Sequence, residues 1–420
     1  MSRFKNYIEY LCIYLVLMIP QSLMSMWYEK ETKILFVGLT VFILFINVKR
    51  IRINIKKCII DLLKLLIVMF ILLSLVLHTR GDFSLNDLKG IILNQFVFIY
   101  IIFQIYKKEF VTDYIKIICF LAIVSLVCFT IQVVDKGYIM RAILPDLSIK
   151  SNYINLGEVR GGFLYVFNNG IHKGRNCGVY PEPGMYQFFL NLGLYFLIFV
   201  CKELNNKTQI IYGVILIVAI LTTQSTTGYI SLVIILFLYI TQRHINIKIK
   251  TQIIALVLVV LSIILLIPGL NNKVFNVVNS KIRISNSTNK IKFLSTGSGG
   301  TRINDAKQDI KIILQDNYGI GYKAYSSLWA HASSPEGGLT NGSSSNSLTY
   351  TIAVYGMFFS VYMIMLYFIY FLRYSKNFNQ ALLLMLFFLN TVTAQGLFLN
   401  PLFVIFIFSD SLYLYRGEAL

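Results

Sequence analysis

Long apolar runs decide what this chain can fold into. Residues 59–78, 115–134 and 184–201 each carry no more than two charged side chains. A run of about 18 or more apolar residues is the length that crosses a bilayer as a helix. Inside hydrocarbon every backbone polar group must be satisfied within the protein, so such runs are helices rather than loops or open sheets. The same reading along the chain predicts about twelve spans, near residues 7–26, 33–48, 59–78, 88–106, 115–134, 184–201, 208–223, 226–241, 251–268, 346–372, 379–398 and 401–415. Composition agrees. Only 14% of residues are charged, against about 25% in soluble domains. The expected fold is all-α, a polytopic integral membrane protein forming one membrane domain over residues 1–420. The stretch Tyr7 to Met26 is too long for a cleavable leader and has no small-residue cleavage site after it, so it reads as the first span.

Basic residues set the expected orientation. With the N-terminus inside, the inner segments hold Arg3 and Lys5, then Lys49, Arg50, Arg52, Lys56 and Lys57, and later Lys107, Lys108, Lys116, Lys202, Lys207, Arg243, Lys248, Lys250, Arg373, Lys376 and Arg416. The short outer connectors hold Lys30, Lys33 and Arg80. This asymmetry places both termini in the cytoplasm. It also accounts for most of the net charge of +19, and no nucleic-acid motif accompanies that charge. Within the spans, Asp61 and Lys64 stand three apart and read as a paired, snorkelling couple. Asp410 lies deeper in the last span and reads as facing the bundle interior.

Two stretches cannot enter lipid. Residues 135–183 and 270–345 are rich in Gly, Asn, Ser and Lys, and on this topology both are outer loops. Both are basic, which suits an anionic substrate. The first ends in Arg175-Asn176-Cys177-Gly178-Val179-Tyr180-Pro181-Glu182-Pro183-Gly184 and runs directly into a span. Gly and Pro hold that backbone to a defined path, and Pro183 suits a helix start. Glu182 is then a carboxylate at a helix N-terminus, either complementing the dipole or acting on substrate. Arg160 and Arg175 are either solvated charges or anion ligands.

The second loop begins with Asn272 to Leu294, basic and partly amphipathic, as if lying along the membrane surface. Residues 301–317 read as a short helix with Ala306, Ile310, Ile313 and Leu314 as its apolar stripe. Thr301 is its expected N-cap, which puts Arg302 in the first turn. A basic residue is poorly placed there unless it serves an anion. Binding of phosphate and pairing with Asp305 are the two readings of Arg302. A Gly-x-Gly turn follows at Tyr318-Gly319-Ile320-Gly321-Tyr322, and Ser333 to Ser345 reads as a linker. The four histidines are scattered and there is no CxxC pair, so no structural metal and no disulfide framework is expected.

These segments resemble the O-antigen and capsule polymerases of the Wzy type, within the O-antigen ligase-like superfamily. Three local features carry the resemblance: the Arg/Gly-rich stretch closing in Glu182-Pro183 before a span, Gly300-Thr301-Arg302 followed by the Gly-x-Gly turn, and Ser345-Asn346-Ser347-Leu348 followed by Tyr355-Gly356. The chain departs from the family where its span-opening His is Ser345 here.

The resemblance implies transfer of a glycan from an undecaprenyl-diphosphate carrier to a sugar hydroxyl on a second lipid-linked repeat, in a bacterial cytoplasmic membrane, with inversion at the anomeric carbon. Its partners would be that lipid-linked oligosaccharide and membrane lipids, with a flippase and a chain-length regulator as candidate protein partners. The outer loops contain no DxD pair, so arginines are expected to replace a metal on the diphosphate, and no cofactor is expected. The expected site is Arg160, Arg175 and Arg302 for the diphosphate, with Tyr180, Tyr322 and Asn346 as further substrate contacts. Glu182 is the first candidate for the base, followed by His331 and His172. A ligase-type transferase of the same superfamily, a flippase or other transporter, and a scaffold subunit are the alternatives. A transporter would show polar residues lining several helices, often in repeated halves, whereas here the polar chemistry is massed in two loops.

Overall fold

A computed structural model describes residues 2–18, 22, 29–47, 55–146, 158–170, 172–201, 203–242, 251, 255, 283–284, 291–292, 298–332, 344–375, 377–393 and 395–408. In chain order its helices are α1 (Ser2–Met18), α2 (Glu29–Asn47), α3 (Ile55–His78), α4 (Leu85–Ile91), α5 (Phe98–Val134), α6 (Tyr138–Ile143), α7 (Pro183–Tyr195), α8 (Asn206–Thr222), α9 (Thr226–Gln242), α10 (Ser298–Gln315), α11 (Gly321–Ala332), α12 (Ser347–Tyr355), α13 (Met357–Tyr374), α14 (Phe378–Val392) and α15 (Pro401–Ile407). Strands β1 (Val159–Gly161) and β2 (Val166–Asn168) pair antiparallel, as do β3 (Arg283–Ile284) and β4 (Ile291–Lys292). Among the described residues, four helical stretches are long and apolar enough to cross a membrane: Cys58–His78, Leu85–Tyr106, Glu109–Val134 and Pro183–Val200. The protein is a mostly helical integral membrane protein.

Three features differ from the run-length reading. The connector expected between spans near residue 107 is helical: a π-helical turn, Ile92–Val97, joins α4 to α5, which continues to Val134. Lys107 and Lys108 are good helix formers and interrupt only the hydropathy. The single span expected at 346–372 is broken into α12 and α13 at Gly356, which has φ +88°. In the second loop, the described part of the amphipathic stretch is the short β3–β4 pair. Most of the expected span at 251–268, and Asp410, lie outside the described residues.

The chain divides into two compact units. One comprises Met1–Leu65, Gly90–Ile235 and Leu399–Leu420, the other Leu66–Lys89 and Leu236–Phe398. The first is built around α7, all of whose residues are buried. Pro183 opens that helix, where its missing N–H costs nothing. Phe188 packs on Phe403 of α15 at 4.8 Å between ring centroids. Gln187 and Asn191 lie one turn apart, and the Asn191 amide donates to the Gln187 side-chain carbonyl at 2.9 Å and to the Gly228 carbonyl at 3.3 Å. Lys64 donates to Asp61 at 3.1 Å and to the Ile407 carbonyl at 2.8 Å, so it closes the C-terminal end of α15 as well as pairing.

In the second unit, α12 packs against α10 and α13 packs against α14. Its tightest joint is a backbone contact. Ile320 N–H donates to the Ala353 carbonyl at 3.1 Å, and Met357 N–H donates to the Asn317 carbonyl at 2.9 Å. The Gly-x-Gly turn and the helix break at Gly356 thereby meet face to face. Gly319 has φ +97°, and a Cβ there would stand 2.5 Å from the Gly356 nitrogen. Only glycine satisfies both the dihedral and the approach.

Candidate functional site

The expected site residues divide between the two units, and each group has its own geometry. In the first unit Arg160 lies on β1, opposite Phe167. Its guanidinium is spread over Glu158 (3.0 Å), the Arg141 carbonyl (2.8 Å), the Leu144 carbonyl (3.3 Å) and Asp146 (3.5 Å). Arg141 adds a forked contact to Glu158 at 3.0 and 2.9 Å. Burial raises the Glu158 pKa, but hydrogen bonds from Arg141, Asn169 and Arg160 outweigh it and hold the carboxyl below its ordinary value. Arg160 is thus the centre of an ionic knot that fixes the base of the hairpin.

Arg175 clamps the turn between α8 and α9. Its Nε donates to the Thr223 carbonyl at 3.0 Å and its Nη2 to the Gln224 carbonyl at 2.9 Å. The neighbouring Asn176 amide donates to Ser125 at 3.1 Å and Thr222 at 3.0 Å. Cys177 is fully buried, which pushes its thiol up to about 12 and leaves it unreactive. Tyr180 is a core residue, which corrects the expectation of a sugar-stacking surface. Its ring stacks on Phe189 with centroids 4.6 Å apart and its hydroxyl donates to the Leu17 carbonyl at 2.8 Å, so no face is open to substrate. Glu182 occupies the N-cap position of α7 with extended backbone, and its side chain makes no capping hydrogen bond. The carboxylate is half-buried and is not consumed in holding the helix start.

In the second unit α10 begins at Ser298, earlier than Thr301, so Arg302 lies in the second turn rather than the first. Gly299 and Gly300 are drawn into the helix. The argument from free N–H groups beside Arg302 therefore lapses, and the residue is placed instead by what lies one turn on. Asp305 accepts from Ser345 N–H at 2.9 Å and from the Ser345 hydroxyl at 2.6 Å. Asp309 accepts from the Tyr325 hydroxyl at 2.7 Å and the Thr349 hydroxyl at 2.6 Å. Burial raises both carboxyls above their ordinary values. The opposing influences are the Ser345 hydrogen bonds and the Arg302 charge at Asp305, and the Thr349, Tyr325 and Ser344 hydrogen bonds at Asp309. Arg302 is thus half-buried beside a carboxylate already engaged by Ser345.

Asn346 caps α12 by accepting from the Leu348 and Thr349 N–H groups. Its carbonyl oxygen is used in that way, which replaces the expected substrate contact for that atom. Tyr322, in the first turn of α11, is exposed and available to a ligand. His331 belongs to the last turn of α11, and its side chain lies outside the described residues.

The burial of the two carboxylates and their bonds to serine, threonine and tyrosine hydroxyls escaped the sequence reading. The signal was their spacing: Asp305, Asp309 and Ile312 recur at helical intervals and form the buried face of α10. Two residues of the expected apolar stripe are turned outward, with Ile310 46% and Leu314 81% exposed, while Ile313 packs against the buried cluster. A second unforeseen pair is His78 and Asp316, whose Nε2 and Oδ2 atoms lie 2.8 Å apart where α3 and α10 end.

The O-antigen ligase family model, Wzy_C, matches residues 211–348 of the chain. This stretch contains α9, α10 and α11 and reaches the first two residues of α12. It therefore includes Arg302, Asp305, Asp309, Tyr322 and Ser345, and stops one residue before Thr349. The match supports the O-antigen ligase-like superfamily for this chain and points to ligase- or polymerase-like glycan processing at a membrane. No curated protein and no solved structure matches the chain significantly.

Proposed function

We propose that the protein is a polysaccharide polymerase that joins undecaprenyl-diphosphate-linked oligosaccharide repeat units at the outer face of a bacterial cytoplasmic membrane. In this reading it has about twelve spans, its termini are cytoplasmic, and it works without a metal. The observation that carries the reading is the family match ending on the α10–α12 corner, where Arg302 stands beside the Ser345-bound Asp305. An acceptor hydroxyl attacks the anomeric carbon, the bond from that carbon to the diphosphate oxygen breaks, and the carrier diphosphate leaves with the electron pair. Arg302 stabilises the charge that builds on the leaving group. The acceptor proton passes to a carboxylate base, for which Glu182 is the candidate offered by the sequence.

The alternative is a ligase-type transferase that moves a finished glycan to another acceptor. The name of the matching family, O-antigen ligase, favours it. The replacement of a histidine by Ser345, tied to Asp305 rather than open to a substrate, favours the polymerase.

The test is a gene deletion complemented with wild-type, Arg302→Ala or Glu182→Gln protein, with surface glycan run on a gel. Loss of polymerase activity leaves single repeat units attached. Loss of ligase activity leaves no attached glycan at all and would replace the first reading by the second. Unchanged ladders in both variants would sink the site assignment.

A further inference from the structure

We propose that the β1–β2 hairpin is a re-entrant element whose tip, Phe163 and Leu164, lies among lipid acyl chains in the leaflet at the C-terminal end of α5. The proposal rests on depth, exposure and the hydrogen bonding of the strand edges, all within the first unit, and it is independent of the reaction assigned above.

Depth comes from the partners of the hairpin on the apolar helices. The Tyr165 hydroxyl donates to Gln132 of α5 at 2.7 Å. Tyr165, Phe167 and Met140 form one buried cluster, against which Cys128 and Ile131 of α5 pack. At 1.5 Å per residue these positions lie roughly 3–9 Å inward from Val134, where the apolar helix ends. The Tyr14 hydroxyl, one turn before the end of α1, donates to the Phe163 carbonyl. The tip therefore reaches back along two helices rather than standing above them.

At this depth Phe163 is 59% and Leu164 43% exposed. Val133 and Val134, at the end of a membrane-spanning helix, are exposed as well. The ionic part of the hairpin is at its other end, where Arg160, Arg141, Glu158 and Asp146 form their knot. Lys136 is exposed just past Val134, at the level where lipid phosphates would meet it. An apolar tip below a charged base is the polarity of an element crossing the interface.

A lipid-exposed hairpin is tolerable only if its backbone is satisfied. Here both edges and the Phe163 carbonyl find partners, and at the head-group boundary water serves the remaining tip amides. Gly162 N–H donates to the Tyr165 carbonyl at 3.0 Å, Gly161 N–H to Pro145 at 3.2 Å, and Val166 N–H to Gly178 at 2.6 Å. The strand edges are closed by neighbouring loop, and the Phe163 carbonyl by Tyr14.

The experiment uses the full chain in phosphatidylcholine nanodiscs, with Trp27 and Trp329 replaced by Phe and a single reporter, Phe163→Trp. Acyl chains brominated near their head-group end should quench this tryptophan about twofold, and aqueous acrylamide should quench it weakly. Lys173→Trp, on an exposed turn of the same loop, should show the reverse. Leu164→Trp supplies a second reporter if the first variant does not fold. Tip tryptophans quenched by acrylamide and untouched by brominated lipid would overturn the proposal.

Discussion

The Thr349 hydroxyl donates to Asp309 at 2.6 Å, across the contact between α10 and α12. Asp309 has no exposed surface and also accepts from Tyr325, so one buried carboxylate holds three helices together. The raised pKa states the energetic sense of this arrangement: burial favours the protonated acid. Its contribution is present below the unfolded value of about 4 and is lost as pH rises through the higher folded value. Asp309→Asn mimics the neutral form but gives up one acceptor. Its deficit in thermal stability against wild type, measured in detergent, should therefore be smaller at pH 7 than at pH 4. A deficit that widens with pH would contradict this account.

Glu158 has the opposite sign. Its folded pKa is depressed, so its stabilisation is present above the unfolded value of about 4.3 and lost as pH falls through the lower folded value. Glu158→Gln should loosen the hairpin base at pH 7, by roughly 1.5–3 kcal/mol if one charge-assisted hydrogen bond is lost. The difference from wild type should fade below about pH 4. Hydrogen exchange of residues 159–168 across that range reads it directly.

Gly356→Ala should destabilise the second unit by about 2 kcal/mol or more. The residue has φ +88° and faces Tyr318 and Gly319 backbone, so neither the dihedral nor the approach admits a side chain. Gly319→Ala should behave alike, and the double variant should lose less than the sum, because the two changes break one joint. Thermal unfolding midpoints of the three variants decide it.

Tyr180→Phe should keep the glycan ladder unchanged and lower stability by about 1 kcal/mol, the usual net value of one hydrogen bond. Tyr180→Ala should cost about 3–5 kcal/mol through the cavity it opens. A ladder shortened by the Phe variant at normal protein levels would mean that the hydroxyl does more than reach Leu17.

Arg302→Lys should lower polymer output by tenfold or more while protein levels hold, because an ammonium cannot reproduce the guanidinium fork on a diphosphate. Asp305→Asn should act more mildly, since one acceptor for Ser345 survives. Equal ladders from the Lys variant and wild type would reduce Arg302 to a simple charge.

The membrane class was legible because hydrocarbon length and backbone satisfaction act locally along the chain. The starts of α7 and α9 could be read from Pro183 and from the Thr/Ser-rich turn before Thr226 for the same reason. What could not be read was anything decided by a partner distant in sequence. Ile310 and Leu314 look like the buried stripe of α10, yet Asp305 and Asp309 are buried, because Ser345, Thr349 and Tyr325 bring acceptor-seeking hydroxyls to that side. Tyr180 looks like a loop aromatic, and only the position of Phe189 and Leu17 makes it core. Lys107 and Lys108 interrupt the hydropathy without ending the helix, since lysine favours helix.

The unbroken run of α5 has a mechanical meaning. Its 37 residues form a rod of about 55 Å. The hairpin is fastened to the rod near its far end through Gln132 and Ile131. A stiff lever of that length converts a tilt of about 5° into a displacement of about 5 Å at its tip. A change in the tilt of α5 would therefore move the hairpin fastened to it.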